Sequence, residues 1–338
     1  MKALFIGGTG TISTEITKLL LTQGHELYLL NRGNRNEGLP EGAKILTGDI
    51  NDEAKVAELI ADLEFDVVAE FIAFTPEQVE RDYRLFKDKT KQYIFISSAS
   101  AYQSPPADYR INEGTPLANP FWEYSRNKIA CEDYLLKQYR EQGFPVTIVR
   151  PSHTYSERSV PVGVHGGNGS WVVLKRMLEN KPVVIHGDGT SLWTITHSRD
   201  FAKGFVGLMG NIRAIGEAVQ IMSDESLTWN QIHEIIASAL GVKLNPLYVP
   251  STFLDAVSDE DYRGSLLGDK ANTVVFDNAK LKRLVPDFVA TTRGDQGLRE
   301  AVEYALANPE AQKEDPEFDA LCDRIAAALD RAIAEIKG

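Results

Sequence analysis

The feature that most constrains this chain is the stretch KALFIGGTGTIST at residues 2–14, where five residues suited to a buried strand run into a glycine cluster and then a helical pattern. Gly7 permits a tight turn, Gly10 lets backbone approach a pyrophosphate, and the following helix aims its N-terminal amides at negative charge. Ser13 stands where such loops ordinarily carry a third glycine, which serves close packing of helix on strand; serine is the next small choice. The glycines follow a predicted strand, open a predicted helix and belong to a βαβ unit ending at residue 30, the context this motif requires. The stretch reads as a dinucleotide-binding loop, with Gly7, Thr9, Gly10, Thr11 and Ile12 at the cofactor.

The same rhythm continues downstream. KALFI, ELYLL, AKILTG, FDVVAEFI, KQYIFIS and PVTIVR read as strands, several almost wholly apolar, as a parallel sheet covered on both faces demands. Helical patterns lie between them at roughly 12–23, 51–62, 76–88 and 120–142. This alternation predicts an α/β fold with a doubly wound parallel sheet, a Rossmann fold, over residues 1–150, to which 191–222 return. After Arg150 the rhythm loosens. SERSVPVGVHGGNGS reads as a mobile glycine-rich loop, and residues 151–190 and 223–338 are expected to form a smaller α/β substrate-binding region. At the far end Phe318, Leu321, Ile325, Leu329 and Ile333 recur at helical spacing and predict a packing helix.

Composition narrows the function classes. A formal charge of −12 repels a phosphate backbone, so nucleic acid is not the expected main partner. No apolar run reaches membrane-spanning length, and the first strand starts at residue 2; the expectation is a cytoplasmic protein without a membrane partner, acting on a small molecule, with a homodimer as an open option. Cys131 and Cys322 suggest neither a disulfide framework nor a metal cluster, and His153, His165, His186 and His197 lack zinc-site spacing, so no metal is expected. Trp122 and Trp171 read as core or pocket aromatics, and Thr228 as a helix N-cap.

Two further stretches carry chemistry. The second predicted strand ends in LLNRGNR, with Asn31 and then Arg32 and Arg35 in place of the acidic residue that grips the ribose of NAD. Arginine pairs with a 2′-phosphate, so NADP is favoured and NAD remains possible. Asp49 and Ile50 follow the third strand and are placed to meet the adenine. In FWEYSRNKIACEDYLLKQY, Tyr124 and Lys128 are four apart and share one helix face. An ammonium beside a phenol lowers the phenol's pKa, which suits tyrosine to proton transfer near neutral pH. Ser98, at the carboxyl end of a central strand, can hydrogen-bond the same substrate oxygen.

The combination of GGTGTIS, SSASAY, YSRNK, RPSHTY and GDGTSLWTITHSRDFA resembles the extended short-chain dehydrogenase/reductases, the NAD-dependent epimerases and dehydratases, over nearly the whole chain. The resemblance implies Tyr124 as acid/base, Lys128 also holding the nicotinamide ribose and Ser98 polarising the substrate. It further implies Phe71, Ile72, Ala73 and Ser97 along the cofactor, Pro151 and His153 near the nicotinamide, and Ser100, Tyr102, His153 and Trp193 at the substrate.

The departures bear on the substrate. Ala99 and Ser100 stand where the 4,6-dehydratase branch carries an Asp-Glu pair, which argues against dehydration. Trp193 replaces an arginine that binds the substrate diphosphate in nucleotide-sugar epimerases, and Leu266–Leu267 occupy the place of a second, leaving Arg263 or Arg158 as substitutes. The expectation is hydride transfer at a hydroxyl or carbonyl of a carbohydrate-like molecule. A nucleotide-sugar epimerase is the first alternative. A non-catalytic cofactor-sensing or RNA-associated protein is the second, since atypical members of the family resemble chloroplast RNA-binding proteins.

Overall fold

A computed structural model describes residues 1–33 and 41–338. Its centre is a seven-stranded parallel sheet ordered Ala218–Ile221, Val146–Pro151, β5 (Tyr93–Ile96), β4 (Val67–Glu70), β1 (Lys2–Ile6), β2 (Glu26–Asn31) and β3 (Lys44–Thr47). Every residue of β4, β5 and Val146–Pro151 is buried, the reason these runs are mostly apolar rather than alternating, with Glu70, Thr147 and Arg150 as their buried polar residues. Phe5 sits opposite Leu29 on one side and Ala69 on the other, fixing the register of the three strands around the glycine loop.

Helices cover both faces. On one, Ile16 and Leu20 of α1 (Thr11–Thr22) pack with Phe201 and Phe205 of the helix Ser198–Leu208. On the other, Val79 and Phe86 of α3 (Pro76–Phe86) pack with Cys131 and Leu135 of α4 (Glu123–Gln142); the short α2 (Glu53–Leu59) buries Val56 in the same layer. Gly143, in the left-handed region, ends α4 where its amide donates to Tyr139. Strand order reverses between β1 and β4, which opens a crevice at their carboxyl ends.

A third apolar cluster builds the rest of the chain around Leu174, Ile185, Trp229 and Leu298. Here Val183–His186 pairs in parallel with Pro246–Val249, and Ile195–His197 pairs with His153–Tyr155. Thr228 caps the helix Trp229–Ala239 by accepting the Gln231 amide. Two expectations need correction. The segment 156–170 is packed rather than free: Val160, Val162 and Val164 are buried, and a Cβ on Gly163 would meet His186 at 2.6 Å. In the helix Pro316–Lys337 only Phe318, Cys322 and Ile325 are buried, and Ile333 is exposed, so the packed stripe stops a turn short. No described helix is long and apolar enough to cross a membrane.

Candidate active site

The glycine loop opens into a cleft of about 830 Å³ lined by Gly7, Thr9, Gly10, Thr11 and Ile12, by Asn31, Arg32, Asp49 and Ile50, and by Phe71 and Ile72. Gly7 has a φ of +86°, and a Cβ there would lie 2.5 Å from the Ile72 side chain, so only glycine fits. Ser13 takes up the function of the missing glycine through hydrogen bonds. Its Oγ accepts the Gly10 amide at 2.9 Å and donates to the Gly7 carbonyl at 3.0 Å. Thr17 adds a bond to the Gly8 carbonyl. The loop is thereby fastened to α1, and the first-turn amides of that helix face the cleft without intrahelical acceptors.

At the far end of the cleft the Asn31 Oδ1 accepts the Gly33 amide at 2.8 Å, while its buried Nδ2 has no partner among the described residues. That wall therefore offers a donor where a carboxylate would offer acceptors. Arg32 lines the same wall; Arg35 lies outside the described residues. Asp49 is tied to Asn51 through the Asn51 amide and side chain. Volume, glycine loop and donors fit a dinucleotide.

A second cleft of about 440 Å³ shares Ile12, Phe71 and Ile96 with the first and continues it. Ser97, Ser98, Ser100, Tyr124, Lys128, Pro151, His153 and Trp193 line it. Ser98 ends the segment after β5 and caps a short turn by accepting the Ser100 amide. Tyr124 enters from the first turn of α4, its ring 4.9 Å from that of Trp122. One turn on, the Lys128 ammonium donates to the carbonyls of Ala73 and Ile96, both at 2.7 Å, and lies 4.6 Å from the centre of the Phe74 ring.

The electrostatics differ from the expectation. Burial raises the Tyr124 phenol above its ordinary value, and the Ser98 hydroxyl opposes that rise. The Lys128 ammonium stands 5.8 Å from the phenol ring centre, and its own pKa falls to about 8 because it is buried. Desolvation sets the direction of the phenol's shift, and the lysine's charge is directed at two carbonyls. His153 is pushed down to about 3 by burial, then by Lys270 and His165, so its imidazole is neutral.

Other expected residues are placed elsewhere. Tyr102 is buried with its hydroxyl donating to Gln220 and its ring under the Arg150 guanidinium, so it walls a small recess behind Ser100 rather than the cleft. Ala73 turns its side chain into the core and offers its carbonyl to Lys128. The Ser97 hydroxyl is taken by Glu132, which also pairs with Arg150. Asp269 and Lys270, at the end of the π-helix Arg263–Lys270, line the second cleft, and the sequence gives no sign of them. An isolated Asp-Lys step in an irregular segment carries no periodic signal.

The NAD-dependent epimerase/dehydratase family profile matches residues 3–221. The 2′-dehydrokanamycin reductase of Streptomyces kanamyceticus is 24% identical over 289 residues, covering 85% of this chain and 80% of that protein. The dTDP-glucose 4,6-dehydratase of an Actinoplanes species is 26% identical over 274 residues, 71% of this chain and 82% of the other. The structure of UDP-glucuronic acid 4-epimerase from Bacillus cereus with UDP-glucuronic acid and NAD superposes with a TM-score of 0.72 at 20% identity, covering 91% of this chain and 99% of that one.

Proposed function

The chain belongs to the NAD-dependent epimerase/dehydratase family, and on that premise we propose that it is an NAD(P)-dependent oxidoreductase or epimerase acting on a hydroxyl or carbonyl of a carbohydrate-like molecule without a nucleotide. The observation that carries the substrate class is the lining of the second cleft. Among the described residues its Lys and Arg side chains are Lys128 and Lys270 alone, with no arginine. A pyrophosphate taken out of water without cationic partners is costly, and pockets that bind one supply arginines. Arg263 points to solvent with its side chain 60% exposed, near Asp255 and over Phe121. Leu266 is fully buried, and Trp193 presents an indole instead of a cation. The likeness to a reductase named for an aminoglycoside ketone supports the same class.

The cofactor is held by the glycine loop, Asn31 and Arg32, and NADP is favoured because that wall presents donors. Bound nicotinamide supplies or accepts the hydride. Tyr124 gives a proton to the substrate oxygen during reduction and takes it back during oxidation. Ser98 hydrogen-bonds that oxygen, and Lys128, anchored on Ala73 and Ile96, fixes the floor beside it. A phenol with a raised pKa is a competent donor at neutral pH; substrate and cofactor contacts must lower it for the return step.

A nucleotide-sugar epimerase is the second reading, favoured by the likeness to enzymes named for such substrates and by Lys270 as one available cation. Cofactor absorbance with NADPH and a panel of keto-sugars, keto-glycosides and UDP-keto-sugars tests the two. Consumption with the nucleotide-free ketones is expected; consumption with the UDP compounds alone overturns the substrate class.

A further inference from the structure

Behind the Tyr124 phenol runs a chain of polar groups that ends in a carboxyl. Ser98 and Tyr124 line the same cleft, where the Ser98 hydroxyl favours the phenolate, and the Ser98 Oγ lies 2.9 Å from the Oγ of Ser100. Ser125, the residue after Tyr124, donates its hydroxyl to the Ser100 Oγ at 2.7 Å, which leaves the Ser100 proton to serve Ser98 during reduction and the recess in the reverse direction. Ser100 lines both the substrate cleft and the small recess behind it, a space of about 20 Å³. That is room for one water, which needs two to four polar partners.

The recess has those partners. Asp269 and Trp193 line it together with Ser100. Trp193 is 3% exposed, and its indole N–H has no partner among the described residues; an unmatched buried donor calls for an acceptor. One amide clamps the two walls: Asn119 donates to the Ser100 carbonyl at 2.8 Å and to the Gly268 carbonyl at 2.7 Å. The Asn119 side chain is itself buried, and its oxygen accepts the amides of Phe121 and Trp122, which lead into α4. A hydroxyl cluster that only fastened the turn to α4 would need neither the carboxyl nor the unmatched indole.

We propose that Tyr124, Ser98, Ser100, one water held by Trp193, and the carboxyl of Asp269 form a proton relay between the phenol and the cleft. The proposal rests on the reading of Tyr124 as acid/base. When the phenol gives its proton to a substrate oxygen, Ser98 passes it a proton, Ser100 replaces that of Ser98, the water replaces that of Ser100, and Asp269 replaces that of the water. Asp269 then takes one proton from solvent, so each O–H bond broken in the chain is matched by one formed. Oxidation of an alcohol runs the chain in reverse. Burial lifts Asp269 to about 6, against the pull of Lys270, which places it where a carboxyl both gives and takes protons. The other charged or titratable groups lining the cleft are Lys128 and Tyr124 from α4, and His153 and His165 opposite.

The test uses the full chain with saturating NADP⁺ and tyrosine labelled with ¹³C at the hydroxyl-bearing carbon, the Tyr124 signal being assigned by its loss in Tyr124→Phe. The expected Tyr124 titration has an inflection near pH 6, where Asp269 titrates. Asp269→Asn abolishes it, Asp269→Glu restores it, and Ser100→Ala reduces it by roughly half or more, with cofactor affinity changed by less than about twofold. Absence of the inflection in the parent, its persistence in Asp269→Asn, or an undiminished inflection in Ser100→Ala overturns the relay. If Asp269→Asn does not fold, Ser100→Ala decides alone. Should these titrations behave as expected while Tyr124→Phe turns over substrate like the parent, the acid/base reading fails and the proton coupling stands.

Discussion

Ser13 donates its hydroxyl proton to the carbonyl of Gly7 at 3.0 Å, closing a ring with the bond it accepts from Gly10. A hydroxyl fastens here what an additional glycine achieves by close approach. Ser13→Ala leaves a part-buried carbonyl and an amide without their partner, a loss on the order of 1 kcal/mol. The expected outcome is a lower melting temperature and about tenfold weaker dinucleotide binding, read by thermal unfolding and cofactor fluorescence. Unchanged binding would show that the loop holds its shape without the serine.

The donor character of the cleft wall predicts tighter binding of NADP(H) than of NAD(H). Arg32→Ala should remove most of that preference, by about tenfold, because a charge-assisted contact to a phosphate is worth roughly 1.5–3 kcal/mol. Titration of both cofactors against parent and variant measures it. An NAD(H) preference in the parent would assign Asn31 to the ribose hydroxyls and Arg32 to solvent.

Tyr124→Phe keeps the ring against Trp122 and Phe74 but removes the proton. Turnover should fall by about two or more orders of magnitude with cofactor affinity nearly unchanged. Lys128→Ala should damage both, since it empties a buried site that ties Ala73 to Ile96. Initial rates and cofactor titrations separate the two patterns.

Lys128 also leaves a signature in stability. Its folded-state pKa of about 8 lies below its ordinary value of 10.5, so between these values the unfolded chain binds more protons than the folded one. Stability contributed by this group therefore rises with pH across that window, and the penalty of burying the charge is fully present below it. Lys128→Met should flatten that rise. Denaturant midpoints at several pH values from 7.5 upward check the slope.

Much of this architecture was legible in the sequence. Strands such as KALFI and FDVVAEFI are buried over most of their length and so largely apolar, and Tyr124 and Lys128 declare their shared face by their spacing. What escaped depends on contacts between distant segments. Tyr102 read as a pocket residue, yet Gln220, 118 positions away, claims its hydroxyl. The phenol's pKa followed burial rather than the nearby ammonium, and burial is not written in a four-residue spacing. The glycine-rich run before Ser170 read as mobile, but its valines alternate into the core and a side chain on Gly166 would strike Asp315 and Phe318. Asp269 and Lys270 are held at the cleft by distant residues, Asn119 binding the Gly268 carbonyl and the Trp229 indole the Lys270 carbonyl.

We assign the second cleft to a carbohydrate-like molecule with no nucleotide diphosphate. Calorimetry with UDP and UDP-glucose, in the presence of saturating cofactor, tests it most directly. No detectable binding is expected, because no arginine lines the cleft among the described residues and Lys270 is its one lysine besides the buried Lys128. Micromolar binding that disappears in Arg263→Ala or Lys270→Ala would contradict it and would place the diphosphate in this cleft.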